Sequence, residues 1–146
     1  MNNKERVELH SQTKYSERYS LASIGDLICF PYFCGQSAVA ITDPGSIRSF
    51  PEAQSYLEYL LKTRGGDFKI IYGMEGYLAE DDKDKSYYTK ATILVKNERG
   101  MKNLYQLVTI SHLKYLHHVP LIPRNILDQF REGLIIGSGT CSDELY

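Results

Sequence analysis

Short apolar runs alternate with helical stretches along this chain, and that alternation narrows its fold more than any other feature. The runs are Arg6-Val-Glu-Leu9, Ser37-Ala-Val-Ala-Ile41, Phe68-Lys-Ile-Ile-Tyr72, Thr89 to Val95 and Leu134-Ile-Ile136. Each is short, rich in β-formers and bounded by turn residues, as strands are. Helical patterns fill the gaps. Ser23, with Asp26 three residues on, opens a stretch to Cys34 that Gly25 and Pro31 interrupt. Pro51 starts a second, where Tyr56, Leu57, Leu60 and Leu61 repeat at helical spacing until Gly65-Gly66. Leu104, Leu107, Val108 and Leu113 mark a third, and Ile122 to Arg131 a fourth, with Asn97 to Gly100 reading as a turn. Strands alternating with helices in this way predict an α/β fold of about five mostly parallel strands with right-handed crossover helices.

The 146 residues suit one domain, and 42% hydrophobic content supports a core. With 17 basic and 18 acidic residues the net charge is -1, so no global field draws the chain to nucleic acid or membrane. Cys29, Cys34 and Cys141 form no CxxC pair and read as reduced thiols of a cytoplasmic protein. No apolar run reaches the roughly 18 residues of a membrane span.

Chemistry-bearing residues lie near the predicted strand ends: His10, Gln12, Thr13, Asp43, Glu75, Lys90 and Thr140. In a parallel sheet they would converge on one rim, where α/β proteins place their sites. Glu75, in the Gly-flanked segment after Phe68 to Tyr72, reads as the carboxylate of a strand-end turn. A metal hydrolase needs several His and carboxylate ligands, and this rim offers one His and one Glu. Loop-holding hydrogen bonds are the plainer role for both. His117-His118 reads as a loop pair, and Cys141, Asp143 and Glu144 as a solvated tail. GxGxxG and GxxxxGK[ST] fingerprints are absent, and Ser138 lies in Gly-Ser-Gly rather than GxSxG.

Taken together, the motifs resemble the polymerase and histidinol phosphatase (PHP) domain, in the form carried by the PolC-type DNA polymerase III alpha subunit. The likeness rests on Arg6-Val-Glu-Leu-His10 with Thr13 and Ser16, Ala38-Val-Ala-Ile-Thr-Asp43, Phe50-Pro-Glu-Ala53 and Ile71-Tyr-Gly-Met-Glu75. It continues through Ile93 to Asn97, Lys102 to Tyr105, Ser111-His-Leu-Lys-Tyr115, Ile122-Pro-Arg124 and Arg131-Glu-Gly133, and ends at Gly137-Ser138 with Glu144-Leu145. It implies a partial, distorted TIM-type barrel over residues 1–146, as a single shortened domain without exonuclease insert or polymerase core.

The resemblance also implies a metal-binding rim, and here the chain departs from the family. Gln12 stands where a second His is expected, Tyr19 where an Asp, Pro44 where a His, Lys90 where another His, and Thr140 where a Cys, with Cys141 one place late. His10 and Glu75 remain in register, and His112 keeps the Ser-His-Leu-Lys pattern. Gln is a weak ligand, Pro supplies none, and a Lys ammonium repels a metal ion. Lys90 is expected to pair with Glu75 instead. Metal phosphoesterase chemistry needs metal-activated water, so no catalytic residue and no cofactor is expected.

The reading is therefore a non-catalytic PHP-like interaction or regulatory module of bacterial DNA replication. A mobile-element decoy or a fragment of a split gene would fit it. The expected partner is a protein, or a second copy forming a dimer, that covers an open sheet edge. The alternatives are a residual phosphoesterase holding Zn, Mn or Fe on His10, Glu75, His112 and Cys141, and a weak nucleic-acid-binding accessory protein.

Overall fold

The computed structural model describes residues 6–16, 18–80 and 87–139. Among these, the elements run α1 (Ile24–Phe33), β1 (Ala38–Ile41), α2 (Phe50–Arg64), β2 (Lys69–Ala79), β3 (Thr89–Val95), α3 (Glu98–Lys114), β4 (Leu121–Pro123), α4 (Arg124–Phe130) and β5 (Leu134–Ser138). They group into two compact units. The first comprises Met1–Asp43 and Ile47–Tyr72, the second Pro44–Ser46 and Gly73–Tyr146.

In the first unit, β1 pairs in parallel with the opening of β2, from Ala38 opposite Lys69 to Ile41 opposite Tyr72. The predicted strand at Arg6 to Leu9 is reduced to a single parallel bridge between Glu8 and Val39. Below it, the carbonyls of Glu8 and Ser11 accept from Ala40 N–H and Thr42 N–H, each at 2.8 Å. Ser23 caps α1 as expected: its hydroxyl accepts from Asp26 N–H at 3.1 Å and donates to the Asp26 carboxylate at 2.6 Å. The helix then runs unbroken, contrary to the expected interruption. Gly25 lies in the first turn, where the backbone N–H groups lack intrahelical partners anyway, and Pro31 in the last, where it forfeits the one bond to the Leu27 carbonyl just before the helix ends. The core joins Ile24 and Ile28 of α1 to Val39, Ile41, Ala53, Leu60 and Phe68, with Tyr56, Leu57 and Leu61 at its margin. The helical spacing read over Tyr56 to Leu61 thus marks the buried face of α2.

The second unit overturns the mostly parallel sheet: the sheet is mixed. The rest of β2 pairs antiparallel with β3, from Gly73 opposite Leu94 to Leu78 opposite Thr89. Strand β3 pairs antiparallel with β5, and β4 adds to β2 in parallel at Tyr77 to Ala79. Strand β4 overlaps the start of the segment read as the last helix, which begins only after Pro123. Asn97 is a cap rather than a turn residue. Its side-chain carbonyl accepts from Gly100 N–H at 3.0 Å, and α3 starts immediately after it. The buried stripe of α3 is Gly100, Asn103, Leu104, Leu107 and Ser111. Leu113, read as part of that stripe, is 80% exposed. Among the described residues no helix is long and apolar enough to cross a membrane.

Candidate functional site

Glu75 does not sit in a strand-end turn. It lies inside the eleven-residue β2, opposite Thr92 of β3. The glycines around it explain the misreading. Gly76 is a packing position, because a Cβ there would stand 2.9 Å from Ile93 Cδ1 and 3.2 Å from Ile122 Cδ1. The strand therefore keeps its pleat through a Gly-rich sequence. Successive residues face opposite ways, so Glu75 and Tyr77 share one face while Met74, Gly76 and Leu78 share the other.

Lys90 lies two residues before Thr92 on β3, opposite Tyr77. It is therefore the diagonal neighbour of Glu75 on the same face, within reach of a long side chain. Its Nζ stands 2.6 Å from Glu75 Oε1. The Glu75 side chain is 0% exposed and that of Lys90 23% exposed. The ammonium also lies 5.8 Å from the centre of the Tyr77 ring, which packs edge-on against Tyr88.

Pro44 completes this group from a distant part of the sequence. It bridges Glu75 in parallel, and Gly45 N–H donates to the Glu75 carbonyl at 2.8 Å. Gly45 adopts φ 56°, and a Cβ there would stand 2.6 Å from Pro120 Cγ. The turn that delivers Pro44 thus requires glycine for its backbone and for its close approach. Pro44 contributes shape and no donor atom.

The first unit holds a second polar centre, built on the buried Asp43 at the end of β1. Its Oδ1 accepts from Thr13 N–H at 2.7 Å, from the Thr13 hydroxyl at 3.0 Å and from the Ser16 hydroxyl at 2.5 Å. Its Oδ2 accepts from the Thr13 hydroxyl at 2.9 Å and the Ser49 hydroxyl at 2.6 Å. These charge-assisted bonds tie the 13–16 loop and the start of α2 to β1. Sequence reasoning singled out Thr13 and Asp43 separately, but neither their pairing nor the part of Ser49.

The remaining predicted residues lie on other elements of the two units. His10, Gln12 and Tyr19 lie in the first unit, on the extended segment and turns that precede α1. His10 N–H donates to Glu8 Oε1 at 3.3 Å. His112 is exposed in the last turn of α3, where its Nδ1 lies 2.9 Å from the Val108 carbonyl. Thr140 and Cys141 lie outside the described residues.

The metal ion implied by the resemblance does not fit the described residues around Glu75. At Glu75, an ammonium occupies the space a cation would take, and the neighbouring Pro44 offers nothing to coordinate. Among the described residues, no group of three or more His, Cys, Asp or Glu side chains is arranged to hold a metal.

Known proteins bear out the resemblance. The chain is 48% identical over 67 residues to "DNA polymerase III PolC-type" of Streptococcus sanguinis, and 48% identical over 66 residues to the protein of the same name in Streptococcus pyogenes. These matches cover 46% and 45% of the chain, but only 5% and 4% of the relatives' own length. Among solved structures it resembles a protein assigned as a metal-dependent phosphoesterase from Bifidobacterium adolescentis. The TM-score is 0.50 at 14% identity, over 72% of this chain and 32% of that one, a likeness of fold. The PHP domain model matches residues 8–145. With nearly the whole sequence matched and an α/β fold similar to that of a phosphoesterase, this chain belongs to the PHP domain family.

Proposed function

We propose that this protein is a non-catalytic PHP module, working as one unit that binds protein rather than hydrolysing phosphoesters, in the setting of bacterial DNA replication. The observation that carries this reading is the contact between Lys90 Nζ and Glu75 Oε1 at 2.6 Å. A buried carboxylate needs a compensating charge. Lys90 supplies one from within the chain, a non-covalent ion pair that stands in for an ion. A lysine ammonium has no open coordination position and lowers no water pKa, so it cannot replace a metal in activating water for attack on phosphorus.

The replication setting is supported by the relatives, which are named as PolC-type polymerases. The binding role is supported by β5, which among the described residues ends the strand order beside β3 and carries the half-exposed Ile135. A sheet edge of this kind is satisfied by pairing with another chain. A protein partner or a second copy would supply it.

The test is native mass spectrometry of the purified protein with elemental analysis of the same sample, beside a phosphomonoester assay with Mn or Zn. A metal-free protein without turnover, in an assembly larger than a monomer, is expected. Stoichiometric Zn, Mn or Fe, or turnover that disappears in His10→Ala/Glu75→Ala, would overturn the reading.

A further inference from the structure

Strand β5 has β3 on one side and, among the described residues, no strand on the other. The ladder itself shows which backbone groups it leaves open. Lys96 N–H donates to the Gly133 carbonyl and Gly139 N–H to the Lys90 carbonyl, each at 2.9 Å. Bonds in an antiparallel ladder alternate along the strand, so Gly133, Ile135, Gly137 and Gly139 turn their backbone groups to β3. Leu134, Ile136 and Ser138 turn theirs away from it.

Two of these outward groups already have partners within the chain. Leu134 N–H donates to the Arg131 carbonyl at 3.0 Å, and the Ser138 carbonyl accepts from the Thr92 hydroxyl at 3.3 Å. Among the described residues, the Leu134 carbonyl, both groups of Ile136 and Ser138 N–H are left over. This set is self-complementary. About a two-fold axis at Ile136, an antiparallel second copy pairs Ile136 with its own equivalent through two bonds. Each Ser138 N–H then meets the Leu134 carbonyl of the other copy, and no outward group is asked to bond twice.

The side chains agree with the same register. It sets Ile135 opposite Gly137 of the second copy, in a non-hydrogen-bonded pair whose Cα atoms stand about 4.5 Å apart with their side chains close. Ile135 is 53% exposed, and an added Cβ at Gly137 would meet nothing within 4 Å. Each isoleucine therefore has an empty position to cover, reciprocally, on the sheet face that carries Glu75 and Thr92. The strand, Leu-Ile-Ile-Gly-Ser, carries neither a charge nor a proline. Those are the devices that keep an edge from pairing, and without charges the two copies oppose no like-charged side chains.

We propose that two copies of this chain pair antiparallel through β5, about a two-fold axis at Ile136, and form one sheet across the dimer. The assignment rests on the binding role proposed above and names its partner.

Sedimentation equilibrium of the full chain over a concentration series is the test. Two short strands make a small interface, so a weak, reversible dimer is expected. Gly137→Val fills the position that Ile135 of the second copy would cover. Its Cβ has open space within the single chain, so circular dichroism is expected to be unchanged while the dimer weakens about tenfold or more. Ile135→Ala/Gly137→Val exchanges the large and small positions and is expected to recover most of that loss, because the register pairs 135 with 137 in both directions. Ile136→Pro removes an N–H that points away from β3 and is expected to abolish pairing. If it does not fold, Gly137→Val and the exchange decide the matter. A monomer at every concentration, a dimer indifferent to Gly137→Val, or an exchange without recovery would overturn the proposal. A metal-free, inactive monomer would do so while leaving the non-catalytic reading intact. Bound metal or turnover would instead defeat that reading, and the β5 variants would still decide the dimer.

Discussion

Lys90 Nζ lies 2.6 Å from Glu75 Oε1, and the carboxylate it meets has no exposed surface. Removing one member of such a pair strands the other. Lys90→Met takes the ammonium away from a buried carboxylate and is expected to cost about 3–5 kcal/mol in urea unfolding. Glu75→Gln falls in the same direction with a smaller loss, because Lys90 is partly exposed and can turn to water. The double variant Glu75→Leu/Lys90→Met is expected to recover most of the loss, since an apolar pair of similar volume needs no compensation. Additive losses in this cycle would mean that the two charges are held by other groups.

If substitution removed a metal site, putting ligands back is expected to restore one. Pro44, Glu75 and Lys90 are adjacent in the second unit, through the Pro44–Glu75 bridge and the Glu75–Lys90 contact. Pro44→His/Lys90→His places two imidazoles beside the Glu75 carboxylate, a set suited to Zn or Mn. The variant is expected to gain metal in elemental analysis, and to melt at higher temperature with the ion than with a chelator. The unmodified chain is expected to show no such difference. An equal metal response in both proteins would contradict the account of the substitutions.

Local chemistry was legible in the sequence where it is settled over a few residues. Ser23 with Asp26 announced the start of α1, the Tyr56 to Leu61 spacing announced the inner face of α2, and Thr89 to Val95 is β3 as read. Strand direction was not legible. Alternating elements suggest parallel crossovers, yet only the nine residues 80–88 connect β2 to β3, and the two strands pair antiparallel. Glycines at 73 and 76 looked like a stop, because composition does not distinguish a turn glycine from one crowded by Ile93 and Ile122. The Glu75–Lys90 pairing was legible because family alignment put a lysine in a ligand position. The cradle around Asp43 was not, because Thr13, Ser16 and Ser49 are ordinary hydroxyl residues until the fold gathers them.

That cradle sets a second stability expectation. Asp43→Ala leaves the buried Thr13, Ser16 and Ser49 donors facing a void. Each buried unsatisfied group costs about 1–3 kcal/mol, so a total loss of at least about 3 kcal/mol is expected. Asp43→Asn is expected to lose less, because its one carbonyl still accepts. Ser49→Ala removes a single donor and is expected to be the mildest of the three. Chemical denaturation ranks them, and an Asp43→Ala protein as stable as Ser49→Ala would show that the hydroxyls find other partners.

The surface around Tyr15 is expected to respond to pH. Glu52 is held below the usual carboxylate range, first by the hydrogen bond from the Tyr15 hydroxyl at 2.7 Å and then by Lys14 at 3.2 Å, with desolvation opposing. A carboxyl depressed in the folded state adds stability above its unfolded pKa, and loses it as pH falls through the folded value. Tyr15 is shifted the other way, with the Glu52 hydrogen bond as the largest cause. Its contribution is present below the ordinary tyrosine pKa and fades as pH rises through the folded one. Tyr15→Phe is therefore expected to melt slightly lower at neutral pH, with the gap closing in acid. Because the groups are exposed, the effect is small. A gap independent of pH from neutral to acid would assign it to packing alone.

Gly76 permits the most direct test of how Glu75 is positioned. An alanine Cβ at this position would meet Ile93 Cδ1 at 2.9 Å and Ile122 Cδ1 at 3.2 Å, on the face of β2 opposite Glu75. Those atoms are side-chain ends, but both isoleucines are buried, at 0% and 1% exposure, and have little room to yield. Gly76→Ala is therefore expected to destabilise by about 1–3 kcal/mol through overpacking. Gly76→Ala with Ile93→Val removes the nearer methyl and is expected to restore part of that loss. The comparison separates two accounts of the glycine. Had it served a turn, relieving Ile93 would change nothing, because backbone strain would remain. Rescue by Ile93→Val in thermal melts would show that small size at position 76 is what allows β2 to run straight past Glu75 and hold the carboxylate opposite Thr92, within reach of Lys90.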